Sequence, residues 1–149
     1  MQKGALKVHE LLFLTFQTFL PSEPSARVDG LNTVETPLKA ARNFAEALTT
    51  LRTWRQQVVT VVTDLKANPE PLKLFNSLKI LISNLTSSDY AFATEVSQMK
   101  RSTQIKTTCT DKALMEFMGL LEIEMSNRAM EDDEDRRRRG QANMAASSS

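Results

Sequence analysis

An all-α bundle of four to five helices, with a long central amphipathic helix over about residues 38–66 and a disordered C-terminal tail, is the fold class this sequence predicts. Within FAEALTTLRTWRQQVVTVVTDL, Phe44, Leu51, Val58 and Leu65 recur every seven residues, with Ala47, Trp54 and Val61 between them. One face of a long helix is therefore apolar throughout. Leu48 and Val62 widen the stripe, and a stripe this wide faces a core made by other helices rather than a narrow two-stranded seam. Only four Gly and five Pro occur in 149 residues, and the aromatics are mostly Phe, which suits helices joined by defined breaks. That length fits one domain plus tails.

The first element is Ala5 to Leu20, the N-terminal helix of a unit spanning residues 1–20. Lys3 and Lys7 ahead of the run LLFLTF superficially resemble a signal peptide. The run is short, His9 and Glu10 sit against it, and no small-residue cleavage site follows before Pro21. A core helix burying Leu12, Phe16 and Phe19 or Leu20 is the simpler reading. Residues 21–37, with Pro21, Pro24, Gly30 and Pro37 among polar residues, read as a linker.

Thr36-Pro37 has the chemistry of a helix start, because the hydroxyl accepts an early amide bond and Pro fits the first turn. The central helix then runs to about Lys66. Asn68-Pro69 repeats the device, and Glu70 favours the positive helix end. The helix so started carries an apolar stripe of Leu72, Phe75, Leu78, Ile82 and Leu85. Ser87 or Ser88 with Asp89 opens a shorter helix holding Tyr90, Phe92, Val96 and Met99, and RSTQIKTTCT after it is a polar connection. Thr110 and Asp111 cap a last helix with Leu114, Phe117, Met118, Leu121 and Met125 on one side. In EDDEDRRRR, Asp132, Asp133, Glu134 and Asp135 each precede an arginine of Arg136 to Arg139 by four residues. That order favours helical ion pairs of about 0.2–0.5 kcal/mol each, so the helix continues, solvated, to Gly140. QANMAASSS beyond it reads as disordered. The resulting organisation is a helix at 1–20, a linker at 21–37, a helical core at 38–130 and a charged, partly disordered tail at 131–149.

Catalytic chemistry is nearly absent. A metal site needs convergent His, Cys or carboxylate ligands, and the chain has one His and one Cys, a hundred residues apart. There is no Gly-rich phosphate loop and no Ser nucleophile elbow. Cys109 has only Lys106 and Lys112 near it in sequence to favour a thiolate, and reads as a small semi-buried residue. His9 and Glu10 are helix neighbours that point apart. The sequon Asn84-Leu85-Thr86 has meaning only on a secretory route, and Leu85 belongs to an apolar stripe. No enzymatic activity, cofactor or metal is expected. One Cys precludes an internal disulfide and fits a reducing, cytoplasmic setting. No run reaches the roughly 18 apolar residues of a membrane span. An interfacial helix at residues 5–20 lacks a dense basic face. With a net charge of +1, any attraction to nucleic acid must be local.

Two features remain. Arg136, Arg137, Arg138 and Arg139 could contact phosphate backbones, or form a solvated helix end neutralised by the five acids before them. Trp54 between Arg52 and Arg55 is an anchor or, more simply, core. Phe44, Leu51, Trp54, Val58, Leu78 and Phe117 are the expected centre of that core.

FAEALTTLRTWRQQV, then PEPLKLFNSLKILI, then TCTDKALMEFMGLLEIEM before an Arg-rich tail resembles the Gag-like region of copia-type LTR-retrotransposon polyproteins, as in the degenerate elements of dinoflagellate genomes. Leu51, Trp54 and Arg55 form the shared L-x-x-W-R helix, Leu74, Leu78 and Leu81 the Pro-started helix, and the likeness covers about residues 38–140. It implies a capsid-like domain that self-associates into homo-oligomers or larger assemblies and encloses RNA, as a fragment of a polyprotein. A zinc knuckle, protease, integrase and reverse transcriptase would normally follow; no knuckle falls within these residues. The alternative expectation is a cellular helical-bundle interaction domain that takes a partner helix in a groove.

Overall fold

Phe44, Ala47, Leu48, Leu51, Trp54, Val58 and Val61 are all buried along one side of a twenty-residue helix, and the rest of the molecule is packed around that side. The computed structural model describes residues 23–148. The expected helix at 1–20, with Leu12, Phe16, Phe19 and Leu20, lies outside the described residues, as does His9. Among the described residues six helices run in order: α1 (Glu23–Glu35), α2 (Phe44–Thr63), α3 (Pro71–Leu81), α4 (Ser83–Ser88), α5 (Tyr90–Thr103) and α6 (Asp111–Ser148). No strand occurs among the described residues, and the class is all-α, with α2 central as predicted.

The largest departure is α1, which occupies the segment read as a linker. Proline and glycine look like breakers there, yet each has a helical use. Pro24 falls in the first turn, where no amide donor is needed. Gly30 faces α2 so closely that an added Cβ would stand 2.6 Å from Leu65 Cδ1 and 3.2 Å from Val61 Cγ2. Val34 is fully buried, and its carbonyl accepts the Trp54 indole N–H at 3.0 Å. Among the described residues the packed body therefore includes α1.

Two of the expected helix starts, Thr36-Pro37 and Asn68-Pro69, lie elsewhere, and neither Thr36 nor Asn68 caps a helix. Thr36 and Pro37 close α1 instead of opening α2: the Thr36 amide and hydroxyl both donate back to the Asn32 carbonyl, and a residue before proline disfavours helix. The cap of α2 is Asn43, whose Oδ1 accepts from the Glu46 amide at 2.8 Å, while Arg42 pairs with Glu46. α3 takes the second proline of Asn68-Pro69-Glu70-Pro71, with Pro71 in its first turn and Glu70 as cap residue. Asp89 caps α5 by accepting from the Phe92 amide at 3.0 Å, and Thr110 Oγ1 accepts from Ala113 at 3.2 Å to start α6, both as expected.

The stripe expected to run from Leu72 to Leu85 on one helix is divided at Ile82, where the backbone leaves helical geometry at ψ 5° and α4 begins. Ser83 and Ser87 hydroxyls bond back to carbonyls at 2.8 Å in this serine-rich turn, the competition with the helix ladder that short hydroxyl side chains offer. Leu72 and Val62, assigned to apolar stripes, are exposed, as is Tyr90; Phe44, Leu51, Trp54, Val58, Leu78 and Phe117 are buried. Phe44 meets Phe92 edge-on at 4.9 Å and Phe75 meets Phe117 at 5.4 Å, fastening α2 to α5 and α3 to α6. Past Ala129, α6 leaves the body, and every side chain from 131 to 146 is exposed. The predicted charged tail is this solvated stretch; its backbone stays helical past Gly140 through alanines 142, 145 and 146, the strongest helix formers.

Candidate functional site

The four arginines singled out in the sequence do not form one patch. On α6 they continue two different faces. Arg136 and Arg139 follow the core-facing side beyond the body and, with Asp132 and Asp135, line a cleft of about 250 Å³ over Asn43 at the start of α2. Arg137 and Arg138 point the other way: Arg137 binds Asp133 at 2.8 Å, and Arg138 lies 3.6 Å from Glu134 and 4.0 Å from Asp135. The hydrogen bond from Arg137, and then its charge, hold the Asp133 carboxyl below the usual carboxylate range and raise the arginine correspondingly. All these groups are exposed, so water and salt screen them strongly. Two of the four predicted i,i+4 pairs are formed, and each arginine has acids beside it.

The pair flanking Trp54 has a structural task. Arg55 Nη2 lies 2.7 Å and Arg52 Nε 3.3 Å from Glu122 Oε1, a clamp between α2 and α6, while the indole is buried against α1. A second clamp escaped sequence reasoning. Arg128 binds Asp89 and Glu124, each at 2.9 Å, and its guanidinium lies 5.6 Å and 5.5 Å from the Phe44 and Phe92 ring centres. It closes the last turn of the body before α6 departs.

Along the outer side of α6, Ile123 and Met130 are exposed, and Met130, Arg137 and Met144 continue at seven-residue spacing. Gly119, Ser126, Asp133 and Gly140 make a second, mostly small-residue row beside them. A Cβ added at Gly119 or Gly140 would meet nothing within 4 Å. The outer face is thus a heptad seam of large and small residues with charges at its centre.

Positive charge also gathers where the sequence showed only a polar connection. Gln104 adopts the left-handed conformation (φ 56°, ψ 27°), ends α5 and turns the chain back. Ile105, 1 % exposed, pins that turn in the core. Lys106 is thereby returned toward Lys100 and Arg101 on the edge of an open groove of about 670 Å³. Burial, then Lys106, then Lys79 push the Lys100 ammonium below its usual range. Only charge proximity in the fold, not spacing in the chain, could have found this cluster.

Among the described residues no group of three His, Cys, Asp or Glu side chains converges as a metal site requires. Cys109 is half-buried, and burial, followed by Asp111, raises its thiol above the ordinary value, which keeps it protonated. No described helix is long and apolar enough to cross a membrane. No protein-family model matches this chain, and no curated protein or solved structure does so either.

Proposed function

We propose that this chain is a structural domain of the Gag-like kind, a non-enzymatic helical unit that self-associates and helps package RNA. The observation that carries the reading is the order of charge on α6. Glu131 to Asp135 and Arg136 to Arg139 are adjacent blocks of opposite sign on a helix whose side chains there are all exposed. A second copy laid antiparallel along the outer face, centred at the level of Asp135, sets the outward acid of each copy on the outward arginine of the other. Arg137 then meets Asp133 of the second copy, and Met130 lies over Gly140 of the second copy, where there is open space. A parallel pair would set like charge on like. Charge complementarity therefore selects a second copy in one orientation. A two-fold pair closes on itself, so growth beyond a dimer needs another link, which an RNA strand threading several pairs supplies.

Light scattering on the purified chain across concentration and salt, with and without RNA, tests this. Expected are a salt-sensitive dimer alone and far larger particles with RNA. Replacing Arg136 to Arg139 with Ala should reduce both. A monomer indifferent to RNA rejects the proposal; capture of an amphipathic peptide helix by such a monomer would establish the interaction-domain alternative.

A further inference from the structure

The arginine run is the obvious place for RNA, but five acids precede it and a second copy competes for it. The groove along α5 has no such neutralisation. Its floor is Ala93, Thr94 and Ser97, its cations are Lys100, Arg101 and Lys106, and no carboxylate lines it. Among the described residues none of the three cations has a carboxylate partner within 4.0 Å. Lys79 adds a fourth charge near enough to act on Lys100. Such a cluster repels itself in the free protein, and an anion removes that cost. Tyr90 stands at the far end, 87 % exposed, roughly 16 Å from Arg101 at 1.5 Å per helical residue.

We propose that a single strand of nucleic acid docks in the α5 groove, its phosphates on Lys100, Arg101 and Lys106 and one base stacked on Tyr90. An exposed aromatic at one end and an uncompensated cation cluster at the other are the two parts of a single-strand site. An acidic peptide would use the cations and leave the ring idle. A membrane surface would want apolar side chains beside the cations, and the groove floor offers only alanine, threonine and serine. Buried Ile105 and the left-handed turn at Gln104 fix Lys106 in place beforehand, so little ordering is needed on binding. This rests on the RNA-packaging reading above and relocates its contact from the tail to the body.

Fluorescence anisotropy of a labelled oligouridylate with the full chain, over a range of salt, is the test. Three phosphate contacts predict a log–log salt slope of about −2. Lys100→Gln, Arg101→Gln and Lys106→Gln together should weaken binding at least tenfold and flatten that slope. Tyr90→Ala should weaken it about five- to a hundredfold and leave the slope unchanged. Lys106→Gln alone and Tyr90→Ala alter exposed positions, so they remain informative if the triple variant unfolds. The matching oligodeoxyuridylate should bind comparably, because phosphates and base faces are common to both. If the groove variants bind as wild type and Arg136 to Arg139→Gln abolishes binding, the groove is wrong and RNA packaging survives. If oligoglutamate binds as tightly as the oligonucleotide and Tyr90→Ala changes neither, the site is merely electrostatic and the proposal falls. If wild type ignores RNA at low salt, both the groove and RNA packaging fail, while dimerisation measured without RNA still stands or falls by itself.

Discussion

Trp54 shows what one residue contributes when its polar atom is placed as carefully as its ring. Buried indole fills the α1–α2 contact, and its N–H answers the Val34 carbonyl. Trp54→Phe keeps most of the volume but removes the donor from a buried site, which should cost about 1–3 kcal/mol in urea-induced unfolding. Loss below a few tenths would mean that the carbonyl is satisfied otherwise. Leu78 and Leu72 make a sharper pair, since periodicity assigned both to the same buried stripe. Leu78 is fully buried and Leu72 is 51 % exposed. Leu78→Ala should therefore cost about 2–5 kcal/mol, and Leu72→Ala stay within roughly 0.5 kcal/mol of wild type. Equal effects would contradict the rotation of α3.

At the level of elements, the strongly periodic segments were legible because an apolar stripe on a long helix has few alternatives. Phe44 to Val61 and Leu114 to Met125 bury the side that the spacing indicates. What was not legible depended on a neighbour. Gly30 reads as a breaker until Leu65 and Val61 are seen to occupy the space beside it, and only then does α1 make sense. Ile105 looked like one apolar residue in a polar connection, although its burial is what shapes the cationic groove. The arginine run was visible in sequence, but its division between two faces requires the helix. Gly30→Val supplies the corresponding test. Added methyls would press on Val61 and Leu65, costing about 1–3 kcal/mol by overpacking, and would lift α1 from Trp54. Red-shifted tryptophan emission with lowered stability is the expected result; unchanged emission would place α1 elsewhere.

For the molecule as a whole, the net charge of +1 conceals a segregation that matters more than its sum. Acid and arginine blocks adjoin on α6, where we propose that two copies pair, whereas no carboxylate lines the α5 groove. Acid should dissolve the self-pairing. Within one chain Arg137 already holds Asp133 below the ordinary carboxylate range, so the proposed pairing between copies is expected to be intact above that range and to be lost in strong acid, once the acid block is protonated. The arginines stay charged throughout, leaving repulsion between copies. Sedimentation that shows the dimer persisting in strong acid would exclude charge-block pairing. A complementary experiment separates block pairing from generic stickiness. One variant carries Glu in place of Arg136 to Arg139; another carries Lys in place of Glu131 to Asp135. Each alone has a tail of one sign and should be monomeric, because every contact between copies has become repulsive. Mixed in equal amounts, they should restore a dimer, with affinity that declines as salt screens it. Association of either variant alone would show that the apolar residues Ile123 and Met130 suffice. Failure of the mixture to associate would locate the interface away from α6.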